Sequence, residues 1–210
     1  MEPLLELKNI CFSYHSMEGE TKALTDINFT VEEGEFVAVV GPSGCGKSTI
    51  LNLISGLIEP ESGSIFIKGK PLKKSEINIG YMLQKDHLFE WRTIYRNVIL
   101  GLEIQKKLNS ETKAKVDEML KTYGLDEFRD ARPSQLSGGM RQRAALIRTL
   151  ALEPALLLLD EPFSALDYQT RLSVTDDIGQ ILKAQKKTAL LVTHDISEAI
   201  SMADHVVVLS

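Results

Sequence analysis

No apolar run in this sequence approaches the roughly 20 residues that a membrane-spanning helix requires. The richest stretch, Ala155 to Leu159, has only the length of a strand. Met1-Glu2-Pro3 is not the start of a basic and then apolar leader, so no secretory signal is expected. Cysteine is scarce: Cys11 and Cys45 form no framework of paired spacings, and two reduced thiols in a cytoplasmic protein are expected. A basic surplus is missing too. The net charge of −5 argues against a general nucleic-acid binder, although it leaves room for a local basic patch. There is no internal repeat and no low-complexity segment. What remains is a chain of 210 residues, 43% hydrophobic and 25% charged, enough for one globular unit with a sizeable core and a smaller inserted lobe. His205-Val-Val-Val-Leu-Ser210 reads as a strand in mid-course, so the domain is expected to continue past Ser210.

Periodicity divides the chain. Leu4 to Ile10 and Ile27 to Val31 alternate apolar and polar residues, as half-buried strands do. Glu32-Glu33-Gly34 reads as a turn, Phe36 to Val40 as a fully buried strand, and Gly63 to Gly69 as a short strand. From about Glu90 to Leu152 the signal becomes helical. Val116, Met119, Leu120 and Tyr123 recur at helical spacing within Thr112 to Tyr123, Gly124 reads as a stop, and Ser137 opens a basic helix from Met140 to about Leu152. The last third alternates: strands at Leu156–Leu159, Thr188–Thr193 and Val206–Leu209, and helices at Tyr168–Ala184 and Ile196–Ala203. Such alternation predicts a parallel sheet with crossover helices.

The residues that carry chemistry lie where strands end. Gly41-Pro42-Ser43-Gly44-Cys45-Gly46-Lys47-Ser48-Thr49 matches G-x-x-x-x-G-K-[ST] between the strand Phe36–Val40 and a helix containing Ile50, Leu51, Leu53 and Ile54. The glycines let backbone N–H groups turn toward phosphate oxygens, and the helix start adds its positive end. Lys47 can reach the β- and γ-phosphates, and the Ser48 hydroxyl can ligate Mg²⁺. Asp160 emerges from a leucine strand at the edge where open α/β sheets bind ligands, placed to hold the metal through water. Glu161 follows it and can polarise an attacking water. Gln84 and His194 also end strands. Each could sense the phosphate edge, or be an ordinary structural residue. Ser137-Gly138-Gly139-Met140 opens a helix and forms a second anion site from a hydroxyl, free N–H groups and a helix dipole; the bland alternative is a simple N-cap. One nucleotide does not need two phosphate sites in one chain, so the second is expected to serve a nucleotide held by another copy.

In order and spacing these segments resemble the ABC (ATP-binding cassette) transporter ATPases over essentially the whole chain. The resemblance rests on the phosphate loop 41–49, Gln84 as the Q-loop glutamine, the signature Leu136–Met140, the acids Asp160 and Glu161, the D-loop Ser164–Asp167 and the switch histidine His194. It implies a single domain over 1–210, of α/β class. A RecA-like P-loop core (about 1–84 and 150–210) would carry an antiparallel β subdomain and an inserted α-helical subdomain (about 85–149). It also implies that Tyr14 stacks on adenine, the alternative being a core strand residue, and that Asp167 belongs to the ATP site. Mg²⁺ would be held by Ser48, Gln84 and Asp160, and catalysis carried by Lys47, Gln84, Glu161 and His194. Two copies would meet head to tail around two ATP molecules. Expected partners are integral membrane permease subunits and, indirectly, a solute-binding protein, at the cytoplasmic face of the membrane, with no nucleic acid.

Leu83 to Thr93, with Trp91, resembles the nitrate, sulfonate and taurine importer group, departing from it at Glu90, where proline is commoner, and at Arg96-Asn97-Val98, where Glu-Asn-Val is commoner. Met140 replaces the general glutamine of the signature, as is usual in that group. A soluble ABC protein acting on nucleic acid or ribosomes would be expected to show coiled coils, tandem cassettes or basic arms. A non-hydrolysing regulatory module would not be expected to keep both Glu161 and His194.

Overall fold

The β-branched and leucine-rich runs pair into two separate sheets in the computed structural model, which describes residues 2–17 and 19–209. The first sheet is antiparallel. Strand β1 (Leu5–Ser16) lies between β2 (Gly19–Val31) and β4 (Ser62–Ile67), and β5 (Lys70–Pro71) closes the edge. The second is parallel, in the order β6 (Ile79–Met82), β7 (Leu156–Asp160), β8 (Ala189–Thr193), β3 (Phe36–Val40) and β9 (His205–Val208). Strands β3, β7 and β8 are buried on both faces, which is why they read as unbroken apolar runs. Val37, Val39, Leu156, Leu158, Leu190 and Val192 face a core shared with the antiparallel sheet and α1 (Lys47–Ile54). Their sequence neighbours Ala38, Leu157, Leu159 and Leu191 face a second core built with the later helices.

Between β6 and β7 the chain contributes only helices: α2 (Ile94–Val98), α3 (Leu100–Ile104), α4 (Ser110–Thr122) and α5 (Gly138–Leu150), with short 3₁₀ turns. Asn109 caps α4 in a reciprocal pair with Thr112, and Gly124, at φ 68°, ends it as its sequence position predicts. Val116, Leu120 and Tyr123 are buried, as are Leu88 and Val98. Then α6 (Tyr168–Ala184) and α7 (Ile196–Met202) cross over to β8 and β9.

The differences from the sequence pattern have local causes. Strands β1 and β2 run well beyond Ile10 and start well before Ile27, because β-bulges at Leu7/Ile10, Ile10/Phe12 and Phe12/Ser13 break the period of two. Helix α5 begins at Gly138 rather than Met140, since Ser137 caps it from outside and both glycines take helical geometry. The last strand starts at His205 and ends at Val208, and Ser210 lies outside the described residues, as does Met1.

Candidate active site

In the parallel sheet β6, β7, β8 and β3 release their C-terminal ends along one edge. That topology gathers residues up to about 150 positions apart in sequence. The turn from β3 into α1 is the phosphate loop. Gly44 (φ 83°) and Gly46 (φ 95°) adopt backbone that other residues avoid, and a Cβ on Gly46 would lie 2.5 Å from the Ala23 carbonyl oxygen. No side chain caps α1, so its first N–H groups remain available to phosphate oxygens. Lys47 is 5% exposed, and its Nζ donates to the carbonyls of Gly41 and Pro42 at 2.9 Å each. The loop thus holds its own cation where phosphate oxygens would replace those carbonyls.

Ser48 Oγ donates to Asp160 Oδ1 at 2.9 Å. Burial pushes the Asp160 carboxyl above the usual range, opposed by hydrogen bonds from Ser48 and Tyr81. Glu161 sits at φ 43°, a left-handed conformation unusual for a glutamate. The turn is held by Glu161 N donating to the Val192 carbonyl (2.8 Å) and by Ser164 Oγ donating to the Glu161 carbonyl (3.0 Å). It directs the carboxylate among three partners. Glu161 Oε2 lies 3.2 Å from His194 Nδ1 and accepts from Gln84 Nε2 at 3.3 Å, while Oε1 lies 4.0 Å from Lys47 Nζ. Tyr14 is 46% exposed, so it is not a core strand residue. Its hydroxyl pairs with Thr49 Oγ1 at 3.1 Å and its ring meets Phe12 edge-on. An open cleft of about 390 Å³ is lined by Tyr14, Ser43, Gly44, Gly46, Lys47, Ser48, Thr49, Gln84 and Glu161.

The signature residues lie elsewhere. Ser137 Oγ accepts from Met140 N at 3.3 Å, capping α5. A Cβ on Gly139 would lie 3.0 Å from Val174 and 3.1 Å from Thr170, so that glycine permits α5 to approach α6. A groove of about 320 Å³ is lined by Ser137, Gly139, Met140, Arg143, Gln169, Thr170, Ser173 and Val174, and shares no residue with the phosphate cleft. Asp167 caps α6 by accepting from Thr170 N at 3.1 Å, and hydrogen bonding from the Thr170 side chain, together with that backbone bond, holds its carboxyl below the usual range. The fold therefore brings together Tyr14, residues 41–49, Gln84, Asp160, Glu161 and His194, and leaves Ser137–Met140 and Asp167 apart from them.

Residues 24–164 match the family model described as ABC transporter. The chain belongs to the ABC transporter family. The ATP-binding protein YtlC of Bacillus subtilis is 51% identical over 98% of this chain and 79% of its own length. The spermidine/putrescine import ATP-binding protein PotA of Haemophilus influenzae is 42% identical over 99% of this chain, which spans 56% of PotA. The dimeric cassette MJ0796, solved in a post-hydrolysis state with ADP and Pi, superposes with a TM-score of 0.83 at 33% identity, covering 98% of this chain and 94% of that one. The fold of this ABC cassette is accordingly the RecA-like core with its subdomains, and its activity is ATP hydrolysis.

Among the described residues of the cassette no group of three His, Cys, Asp or Glu side chains could cage a metal. The Ser48–Asp160 pair fits magnesium, which binds through one or two carboxylates, hydroxyls and the phosphates of the nucleotide. Several residues at the site escaped sequence reasoning. Tyr81 and Asn52 join Asp160 through the Tyr81 hydroxyl. The fully buried Asn97 donates to the carbonyls of Phe89, Arg92 and Thr93 and accepts from Phe89 N, fixing the segment after Gln84. Arg148 donates to the carbonyls of Asp86 and His87 at 2.7 Å each. Arg171 donates to the carbonyls of Ser164 and Leu166 and to Asp195, tying the 164–167 loop to the turn after His194. Asn97 lies in the Arg96-Asn97-Val98 segment noted in the sequence, but the contacts of all these residues join separate segments, so only the proximity of those segments shows what they do.

Proposed function

We propose that this cassette is the ATP-hydrolysing subunit of an importer and drives solute uptake through separate membrane subunits. The observation that carries the catalytic assignment is Glu161, held in strained backbone between Gln84, His194 and Lys47 at the mouth of the phosphate loop. The adenine rests on Tyr14. Backbone N–H groups of residues 41–49 and the Lys47 ammonium take the phosphates, Lys47 exchanging its loop carbonyls for phosphate oxygens. Ser48 and Asp160, with Gln84, hold Mg²⁺, which when bound neutralises charge on the phosphates. Glu161 accepts a proton from the attacking water, and Gln84 and His194 orient that water and the carboxylate.

The separate groove at Ser137–Met140 supports a composite site. Its hydroxyl and helix start would meet the γ-phosphate bound to the phosphate loop of a second copy, with Asp167 at the same junction. MJ0796 is a cassette of similar fold that is dimeric. No helix among the described residues is long and apolar enough to cross a membrane. The permease would be a separate subunit, with the cassette peripheral at the cytoplasmic face. Residues 85–149 would act as a lobe that moves with the nucleotide. Its docking surface would be the segment after Gln84, where Trp91 is 72% exposed and packs against the half-buried Phe89 with ring centroids 4.8 Å apart and planes tilted by 51°. PotA, a relative, is named for import. The likeness of residues 83–93 supports a nitrate, sulfonate or taurine solute delivered by a solute-binding protein, and the net charge of −5 supports no nucleic-acid partner.

The test is Glu161→Gln. The amide is nearly isosteric but is not a base, so turnover should fall by roughly 10²–10⁴-fold while ATP binding persists. ATP should then hold two copies together in gel filtration. Near-normal hydrolysis would remove Glu161 from the role of base.

A further inference from the structure

Tyr81 lies in β6, three residues before Gln84, and takes no part in the chemistry proposed above. Its hydroxyl is 3.1 Å from Asn52 Oδ1 and 3.3 Å from Asp160 Oδ2. The hydroxyl therefore joins three elements: α1, one turn beyond Ser48; β6, which leads to Gln84; and β7, which ends at Asp160. A phenol has one proton, and both facing atoms are acceptors, so Asn52 and Asp160 compete for it. The other oxygen of Asp160, Oδ1, already accepts from Ser48 at 2.9 Å. Asp160 is only 8% exposed, which leaves little solvent to replace a lost donor. With Ser48 on one oxygen and Tyr81 on the other, both carboxylate oxygens are pinned and the carboxylate plane is set.

We propose that Tyr81 is a positioning residue for the divalent cation: by donating to Asp160 Oδ2 it orients the carboxylate so that the Ser48–Asp160 pair receives the metal of the bound nucleotide, and Asn52 moderates that hold as the rival acceptor. This rests on the metal role proposed for Ser48 and Asp160. Partners that orient a metal ligand commonly matter almost as much as the ligand itself. The phenol ring is not at issue, because phenylalanine keeps it and removes only the donor.

The experiment measures Mn²⁺ binding by electron paramagnetic resonance on the whole chain loaded with ADP, and ADP binding separately in EDTA. Tyr81→Phe should weaken Mn²⁺ binding by roughly three- to tenfold, as expected for one hydrogen bond to a charged group, with ADP affinity in EDTA unchanged. Asn52→Ala frees the proton for Asp160 and should tighten Mn²⁺ binding. Asp160→Asn should weaken Mn²⁺ binding more than Tyr81→Phe does, the ADP phosphates alone then holding the ion. Unchanged Mn²⁺ binding in Asp160→Asn would sink the metal-site reading itself. Weakening in Asp160→Asn together with unchanged Mn²⁺ binding in Tyr81→Phe would sink the positioning role alone. A fall in EDTA affinity for ADP as large as the loss of Mn²⁺ would also overturn it, by making Tyr81 a general packing residue. Should Tyr81→Phe fail to fold, Asn52→Ala decides: tighter Mn²⁺ binding in that variant supports the competition, and equal or weaker binding contradicts it.

Discussion

The phosphate cleft and the signature groove are both built on a helix N-terminus, yet they differ in how much of their chemistry is already engaged. In the cleft the key side chains hold one another: Lys47 on the carbonyls of Gly41 and Pro42, Ser48 on Asp160, and Glu161 between Gln84 and His194. In the groove Ser137 caps its own helix, and none of the described residues that line the groove also lines the cleft. A site whose charges are pre-arranged can bind nucleotide within one chain, at small cost in reorganisation. A lone helix start with a hydroxyl is half of a site, and its value depends on what another surface brings to it.

The sharpest way to break the comparison is Ser137→Arg. The arginine loses the cap, at a cost of about 1 kcal/mol, and places bulk where a second copy would bring its phosphates. Turnover should drop by at least ~100-fold, by loss of the groove's contribution to transition-state charge, while ATP binding to the single chain stays near normal. Lys47→Ala should do the opposite, weakening ATP binding itself by roughly 10- to 100-fold through loss of a charge-assisted contact. Equilibrium binding of a fluorescent ATP analogue separates the two variants, and equal losses of affinity in both would contradict the composite site.

Trp91→Ala addresses a third surface. Transport in reconstituted vesicles should fall by about tenfold or more, as for an aromatic anchor worth ~2 kcal/mol. Basal ATPase activity and thermal stability of the isolated chain should not change, because Trp91 is largely exposed. Normal transport by this variant would return Trp91 to the status of an ordinary surface residue.

The smallest expected effect concerns stability. Burial raises the Asp160 pKa in the folded chain, so ionised Asp160 destabilises the nucleotide-free fold at pH values above that raised pKa. Asp160→Asn should therefore raise Tm at pH 7 in the absence of nucleotide. The gain should shrink as pH falls through the folded pKa and vanish below the unfolded one, where the carboxyl is protonated in both states. Differential scanning calorimetry at pH 7 and at low pH checks this; a lower Tm at pH 7 would show that Asp160 stabilises the empty cleft.

The phosphate loop, Asp160, Glu161, Gln84 and His194 were legible in the sequence because each closes a strand of the parallel sheet, and parallel strands send their ends to one edge. The basic helix after Ser137 was legible for the same kind of reason, since a cap and the helix it opens are neighbours in the chain. Tyr14 was harder to place. Its strand contains bulges that interrupt alternation, so periodicity did not show whether it faced the core or the cleft. A loop carries no period from which exposure can be read, so the half-buried Phe89 and the exposed Trp91 are told apart only by the structure.

By itself, then, the sequence determined the family, the class of nucleotide chemistry and the alternation of strands and helices that makes a parallel sheet, because those depend on contiguous residues and on local backbone preferences. The tertiary structure alone decided which separate residues touch. It placed the Tyr81 hydroxyl between Asn52 and Asp160, Asn97 beneath the segment after Gln84, and Arg171 across the 164–167 loop and Asp195. It also separated the signature from the cleft of its own chain. Those outcomes depend on helix and sheet packing over tens to more than a hundred residues of intervening chain, and no local pattern encodes a distance of that kind.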